Sequence, residues 1–355
     1  MGAGIDVAGV KRSFGAVQAV QHVTFSAAPG RVTGLVGPNG SGKTTLMLML
    51  ASLLRPDDGT LRIGGIDPLG DPAGARRILG WMPDSLGAWP SLTAREVLVA
   101  TAQLYDLSRD DARARADELL ALVDLSGVAH SAARVLSRGQ KQRLALARAL
   151  VHDPRVLLLD EPASGLDPQA RIALRELLRR LAAEGRTILI SSHVLSELEE
   201  VVDDAVFIVD GRTVGSDRVA AAATRVRPWR VRLLTDPSRP GDAARADIAA
   251  ALGRTAAEVG VDRRDVLVPF ADEAAAVAGF RALASAGLPV VEFAPAVGDL
   301  EHAFLDLRGD ARSADNAPPA PDAEAAPTDA AQEPDGTAGA AGDPPTDRRD
   351  DGSRA

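Results

Sequence analysis

The stretch "VTGLVGPNGSGKTTLMLML", residues 32–50, decides how the chain folds. Its first part, "VTGLVG", is apolar on both faces, as in a short strand buried inside a parallel sheet. Its last part reads as an apolar helix. Between them, "GPNGSGKTT" at 37–45 fits G-x-x-x-x-G-K-[ST] through Gly37, Gly42, Lys43 and Thr44. Strand, glycine-rich loop and helix are the context this motif needs. The loop backbone, with Pro38, Asn39, Gly40 and Ser41 between the glycines, curls its N–H groups around phosphate oxygens. Lys43 reaches the β- and γ-phosphates. The Thr44 hydroxyl ligates Mg²⁺, with Thr45 beside it. The plainer alternative is a turn with a surface lysine, and the flanking strand and helix weigh against it.

Working outward, "RVLLLD" (155–160), "TILISS" (187–192) and "AVFIVD" (205–210) are further runs apolar on both faces. Helical patterns separate them, so residues 1–218 read as an α/β unit. Within it, 91–150 carries no strand signal and reads as helices, a helical insert spanning about 88–150. Two of the buried runs lead into chemistry-bearing residues. "RVLLLDEP" places Asp160 and Glu161 at a strand's C-terminal end, the edge where ligands bind in open α/β sheets. Asp160 there can hold Mg²⁺, and Glu161 can polarise an attacking water. "SSHVLSELEE" (191–200) places His193 at the same edge, where an imidazole N–H can contact a γ-phosphate. "SGLDP" at 164–168 reads locally as a turn with Asp167 capping the next helix and Pro168 at its first position.

A second anion site is visible in "VLSRGQKQRLALARAL", residues 135–150. Ser137 and the N–H groups around Gly139 and Gln140 open a helix, and a helix start attracts anions. One modest unit thus carries two phosphate sites. Its basic residues Lys141, Arg143 and Arg148 read equally well as a solvated face.

The chain has no cysteine, which excludes a disulfide framework and thiolate metal sites. Its longest apolar run, at 45–54, falls short of the roughly 20 residues a membrane span needs. No signal peptide opens it, so a cytoplasmic protein is expected, with any membrane role exerted through a partner. The formal net charge is −9, but ten acidic and four basic residues from 311 onward account for six of those charges. No extended basic patch remains, and nucleic acid is not an expected partner. Residues 225–309 read as a small α+β unit with strands at 229–234, 265–270 and 289–293 and a closing helix at 299–309. Residues 310–355 are rich in Ala, Pro, Asp and Gly and lack Val, Ile and aromatics, a composition expected to stay disordered.

Five motifs in fixed order carry a resemblance. The loop 37–45, "LSRGQ" at 136–140, the carboxylates 160–161, "SGLDP" and His193 resemble the nucleotide-binding subunit of an ABC transporter, over about 1–218. The resemblance implies a P-loop NTPase core with a helical subdomain, ATP and Mg²⁺ as ligands, and ATP hydrolysis. It implies that two subunits, as a homodimer, close head to tail over two ATP molecules. Each ATP then lies between the phosphate loop of one subunit and Ser137, Gly139 and Gln140 of the other, with Asp167 at the seam. It places Phe14 of "KRSFG" against adenine and a membrane permease against 85–93. It puts the protein on the inner face of the cell membrane through that permease. Two positions depart from the family pattern. Arg138 stands where the signature usually has Gly, so a backbone conformation open to any residue is expected there. Asp84 of "LGWMPDS" stands where a Gln usually reaches toward Mg²⁺; as a hard-oxygen donor it remains a candidate metal ligand. The short unit at 225–308 resembles that of drug-exporter ATPases, whose permease is a separate chain. Ribosome- or DNA-directed members carry two cassettes or long coiled coils, and this chain has neither. A nucleotide-binding regulator without turnover is disfavoured by the presence of Glu161.

Overall fold

The computed structural model describes residues 4–84, 87, 89–215, 217–219, 226–234, 241–262, 265–298 and 300–304. The expected disordered tail at 310–355 and part of the closing helix at 299–309 lie outside these. Among the described residues, no helix is long and apolar enough to cross a membrane.

Nine strands are laid down in chain order: β1 (Ile5–Phe14), β2 (Val17–Ala27), β3 (Val32–Val36), β4 (Asp58–Ile63), β5 (Leu79–Met82), β6 (Val156–Asp160), β7 (Thr187–Ser191), β8 (Asp204–Val209) and β9 (Arg212–Thr213). They form one sheet in the order β4-β1-β2-β9-β8-β3-β7-β6-β5. Strands β8, β3, β7, β6 and β5 run parallel. On the other side, β1 pairs antiparallel with both β2 and β4.

Every residue of β3, β6 and β7 is buried, because this part of the sheet is covered on both faces. Side chains alternate between two cores. Val156, Leu158, Leu189 and Leu35 point to one face and pack with helix α1 (Lys43–Leu50) and with Ile5, Val7, Val23 and Ile63 of the antiparallel strands. Leu157, Leu159, Ile188, Ile190, Val32 and Val36 point to the other face. They pack with helix α6 and with α3–α5.

Helix α2 (Pro72–Ile78) precedes β5. Between β5 and β6 come α3 (Ala94–Leu104), α4 (Arg109–Leu122) and α5 (Arg138–Ala149), and α6 (Pro168–Ala183) and α7 (Leu195–Glu199) follow β6 and β7. The helix starts are chemically marked. Thr93 and Glu96 form a capping box on α3, and Ser108 accepts from Asp111 N–H at α4. Asp167 accepts from Ala170 N–H at the start of α6, with Pro168 as the first helical residue.

The C-terminal part forms a four-stranded antiparallel sheet. It contains β10 (Arg227–Leu233), β11 (Gly260–Asp262), β12 (Asp265–Phe270) and β13 (Val290–Pro295), in the order β11-β12-β10-β13. Helices α8 (Gly241–Ala251) and α9 (Glu273–Ser285) cover it, over a core that includes Val231, Ile248, Val268, Phe270 and Leu283. A helical turn at 300–304 leaves this unit. It packs Leu300, Ala303 and Phe304 onto the α6-side core, and the Leu300 N–H donates to Glu199 Oε1.

Candidate functional site

The C-terminal ends of β3, β6 and β7 meet at one edge of the sheet, and the chemistry-bearing side chains gather there. From β3 the chain enters the loop 37–42 and turns into α1 at Lys43. Gly42 caps α1 with φ +95° and sits against β2, where a Cβ would come within 2.3 Å of Ala19 O. The first turn of α1 has no side-chain cap and no acidic residue. Its N–H groups and the positive end of the helix dipole therefore face the loop uncompensated. Ser41 is buried, and among the described residues its Oγ has no hydrogen-bond partner. Asn39 and Gly40 are exposed at the loop tip and Thr45 is half-buried. A buried orphan hydroxyl beside an uncapped helix start fits a phosphate group.

Lys43 is only 7% exposed. Its ammonium donates to Gly37 O at 2.7 Å and Pro38 O at 2.9 Å, so the loop folds over it. Burial lowers its pKa, and the nearby charges of Glu161 and Asp160 act in the opposite sense. Thr44 Oγ1 donates to Asp160 Oδ2 at 3.0 Å, and Ser191 Oγ donates to Asp160 Oδ1. A hydroxyl and a carboxylate of this kind are hard oxygen donors that suit a cation sharing its remaining positions with water and phosphate. Among the described residues, no group of three or more His, Cys, Asp or Glu side chains could cage a metal alone.

Glu161 has a left-handed backbone, φ +52°, costly for a residue with a Cβ. It is held there from both sides. Its N–H donates to Ser191 O at 3.1 Å and Oγ at 3.2 Å. Its carbonyl accepts from Gln142 Nε2 at 2.8 Å and from Ser164 N–H at 3.1 Å. The turn aims the carboxylate at His193, whose Nδ1 lies 2.8 Å from Glu161 Oε2. Burial raises the Glu161 pKa, and the hydrogen bond with His193 partly offsets that.

The structure thus brings residues 37–45, Asp160, Glu161 and His193 together. The signature does not join them. Ser137 Oγ accepts from Gln140 N–H at 3.2 Å, and Gln140 Oε1 accepts from Ser137 N–H at 2.9 Å, a self-contained capping box at the start of α5. Ser137, Gly139 and Gln140 make no hydrogen bond to the phosphate loop, and Ser137 is exposed. Arg138 is the first helical residue of α5 with no positive φ, a conformation any residue can adopt. Phe14 is 48% exposed at the end of β1, with the Arg12 guanidinium 4.8 Å from its ring centroid. Asp84 is exposed just after β5 and makes no hydrogen bond or ion pair among the described residues. Of the stretch 85–93, residues 85, 86 and 88 lie outside the described residues. Two residues that sequence reasoning misses are Ser191 and Gln142. The usable signal for Gln142 is a polar residue on the helix stripe it shares with the buried Ala145, Leu146 and Ala149.

The family model described as "ABC transporter" matches residues 20–164. The chain is 33% identical over 310 residues to the daunorubicin resistance ATP-binding protein DrrA3 of Streptomyces coeruleorubidus, covering 87% of this chain and 96% of that one. It is 40% identical over 220 residues to the Nod factor export ATP-binding protein I of Paraburkholderia xenovorans, covering 62% and 72%. Among solved structures it resembles an ATP-binding subunit of an ABC transporter, with a TM-score of 0.56, 30% identity and coverage of 61% and 92%. It also resembles a dimeric post-hydrolysis state of the cassette MJ0796 bound to ADP and Pi, with a TM-score of 0.55, 25% identity and coverage of 59% and 97%. With the phosphate-binding edge and these relatives in agreement, the chain belongs to the ABC transporter family as an ATP-binding, ATP-hydrolysing subunit.

Proposed function

We propose that two copies of this chain close head to tail over two ATP molecules and drive export through a separate membrane permease. The observation that carries the reading is a division within one molecule. Lys43, Asp160, Glu161 and His193 converge on one edge, while the signature helix start at 137–140, with Ser137 and Arg138 exposed, is bonded to none of them. An anion site that completes itself on another molecule accounts for both. The relatives named for resistance and export support the direction of transport, and the dimeric cassette supports the pairing. The permease would dock near 85–93 and hold the protein at the inner face of the cell membrane.

In this reading the γ-phosphate draws the Lys43 ammonium off the Gly37 and Pro38 carbonyls, because a charge-assisted bond is stronger than a neutral one. Ser41 and the first-turn N–H groups of α1 take the β-phosphate oxygens. Thr44 and Asp160, with Asp84 from the end of β5, would hold Mg²⁺, which supplies charge neutralisation on the phosphates when bound. Glu161 accepts a proton from the attacking water, and its raised pKa makes it a better base than an exposed carboxylate. His193 orients that carboxylate through Nδ1 and faces the γ-phosphate. Phe14 offers the ring face not occupied by Arg12 to adenine. Ser137, Gly139 and Gln140 of the partner close the site, and loss of the γ-phosphate reopens it.

The test is Glu161→Gln. Turnover is expected to fall about 10²- to 10³-fold, as for loss of a general base. ATP binding is retained, and with ATP the variant elutes as a dimer on size exclusion. Wild-type turnover in this variant refutes the role of Glu161, and a monomer in saturating ATP refutes the closed dimer.

A further inference from the structure

Arg138 is the one residue of the signature that departs from the family pattern, and its side chain is committed within its own chain. Its Nη2 donates to Ser164 Oγ at 2.8 Å. Its aliphatic stem lies flat over Gly165, so closely that a Cβ at 165 would meet Arg138 Cδ at 2.7 Å. The backbones also touch: a Cβ on Gly139 would lie 3.3 Å from Gly165 O. One turn along α5, on the same stripe, Gln142 is 2% exposed and donates to the carbonyl of Glu161. Ser164 in turn donates its N–H to that same carbonyl. The segment 161–165 is therefore tied to the first turns of α5 at two points, and between them sits the strained turn that aims Glu161.

We propose that Arg138 is a positioning residue that braces the loop after Glu161 against the signature helix, so that nucleotide held at 137–140 sets the carboxylate used at the other site of the dimer. The cross-site half of this statement rests on the head-to-tail reading above. The brace itself is intramolecular. A nucleotide that pulls on the α5 start moves Arg138, Arg138 moves Ser164, and Ser164 is bonded to Glu161. A residue without a side chain at 138 leaves Gln142 as the sole side-chain tie between α5 and this segment among the described residues.

The experiment compares full-length wild type, Arg138→Ala, Ser164→Ala and the double variant by steady-state ATP turnover. Arg138 is exposed and Ser164 half-buried, and thermal melts check that each variant stays folded. Loss of one charge-assisted hydrogen bond is expected to lower kcat about fivefold in each single variant, with KM for ATP within about twofold of wild type. Because both variants remove the same link, the double variant is expected to fall no further. Losses that multiply to about 25-fold overturn the brace, as does an unchanged kcat in Arg138→Ala. A raised KM with kcat intact also overturns it, by assigning the guanidinium to the partner's nucleotide. The two-site reading fails separately. A monomeric Glu161→Gln in ATP removes the cross-site half, and coupling between Arg138 and Ser164 in kcat then reports on the brace alone.

Discussion

Gly42 gives the sharpest test of how the phosphate loop is built. Two terms oppose any larger residue there. The backbone sits at φ +95°, outside the right-handed regions, which costs a residue with a Cβ roughly 1–2 kcal/mol. The Cβ would also lie 2.3 Å from Ala19 O in β2, more than 1 Å inside ordinary contact, so strand or loop must shift. Overpacking of this kind costs about 1–3 kcal/mol. Together they predict a loss of about 2–5 kcal/mol for Gly42→Ala, a drop in melting temperature on the order of 10 °C at about 2–4 °C per kcal/mol. Gly40 isolates one term. It has φ +83° but nothing within 4 Å of a built Cβ, so Gly40→Ala carries only the backbone cost of roughly 1–2 kcal/mol. Thermal melts of the two variants without nucleotide, followed by equilibrium ATP binding, make the comparison. Gly42→Ala is expected to lose both stability and affinity; Gly40→Ala keeps most of each. Equal destabilisation in the two variants would refute the claim that contact with β2 demands glycine at 42.

Two further outcomes follow from the same edge. Burial raises the Glu161 pKa, so the folded state binds that proton more tightly than the unfolded chain does. Folding stability from this group is therefore greatest below the ordinary carboxylate value of 4.5 and declines as pH rises from there through the raised folded value. Glu161→Gln should accordingly melt higher than wild type at neutral pH and lose that advantage below the ordinary carboxylate range; an advantage that persists in acid would show that charge burial is not its source. Lys43→Ala should lose ATP affinity by at least about 100-fold, the worth of a buried charge-assisted contact. Unchanged affinity by calorimetry would remove Lys43 from the phosphate site.

The sequence legibly carries the parallel half of the sheet, because strands buried on both faces must be continuous apolar runs. The runs read at 32–37, 155–160, 187–192 and 205–210 correspond to β3, β6, β7 and β8. Strands β1 and β2 are half-buried and signal themselves only by alternation, broken in β1 by register shifts near Val10 and Arg12. That irregularity hides them from a reading based on apolar runs. Motif residues were legible because loop geometry and strand ends fix which side chains face a ligand. The conformation of Glu161 was not. The left-handed glutamate is held by Ser191 and Gln142, residues 30 and 19 positions away that act through tertiary contact, along with the neighbouring Ser164. The course of Arg138 toward Ser164 was equally invisible, since spacing alone sets no direction for a long exposed side chain.

The strand order also governs how the protein is made. Strand β3, which launches the phosphate loop, takes its hydrogen bonds from β7 on one side and β8 on the other. The β7-facing edge of β3 stays unpaired until residues near 191 have left the ribosome, and the β8-facing edge until residues near 209 have followed. At about 5–20 residues per second that is roughly 10–35 s after β3 itself is synthesised. Over that interval the nascent chain carries an apolar strand with two open edges and then one, the kind of segment prone to mispairing. The ATP-gripping loop is thus among the first functional elements to be translated, while the strand that launches it gains both its neighbours only after about 170 further residues have been made.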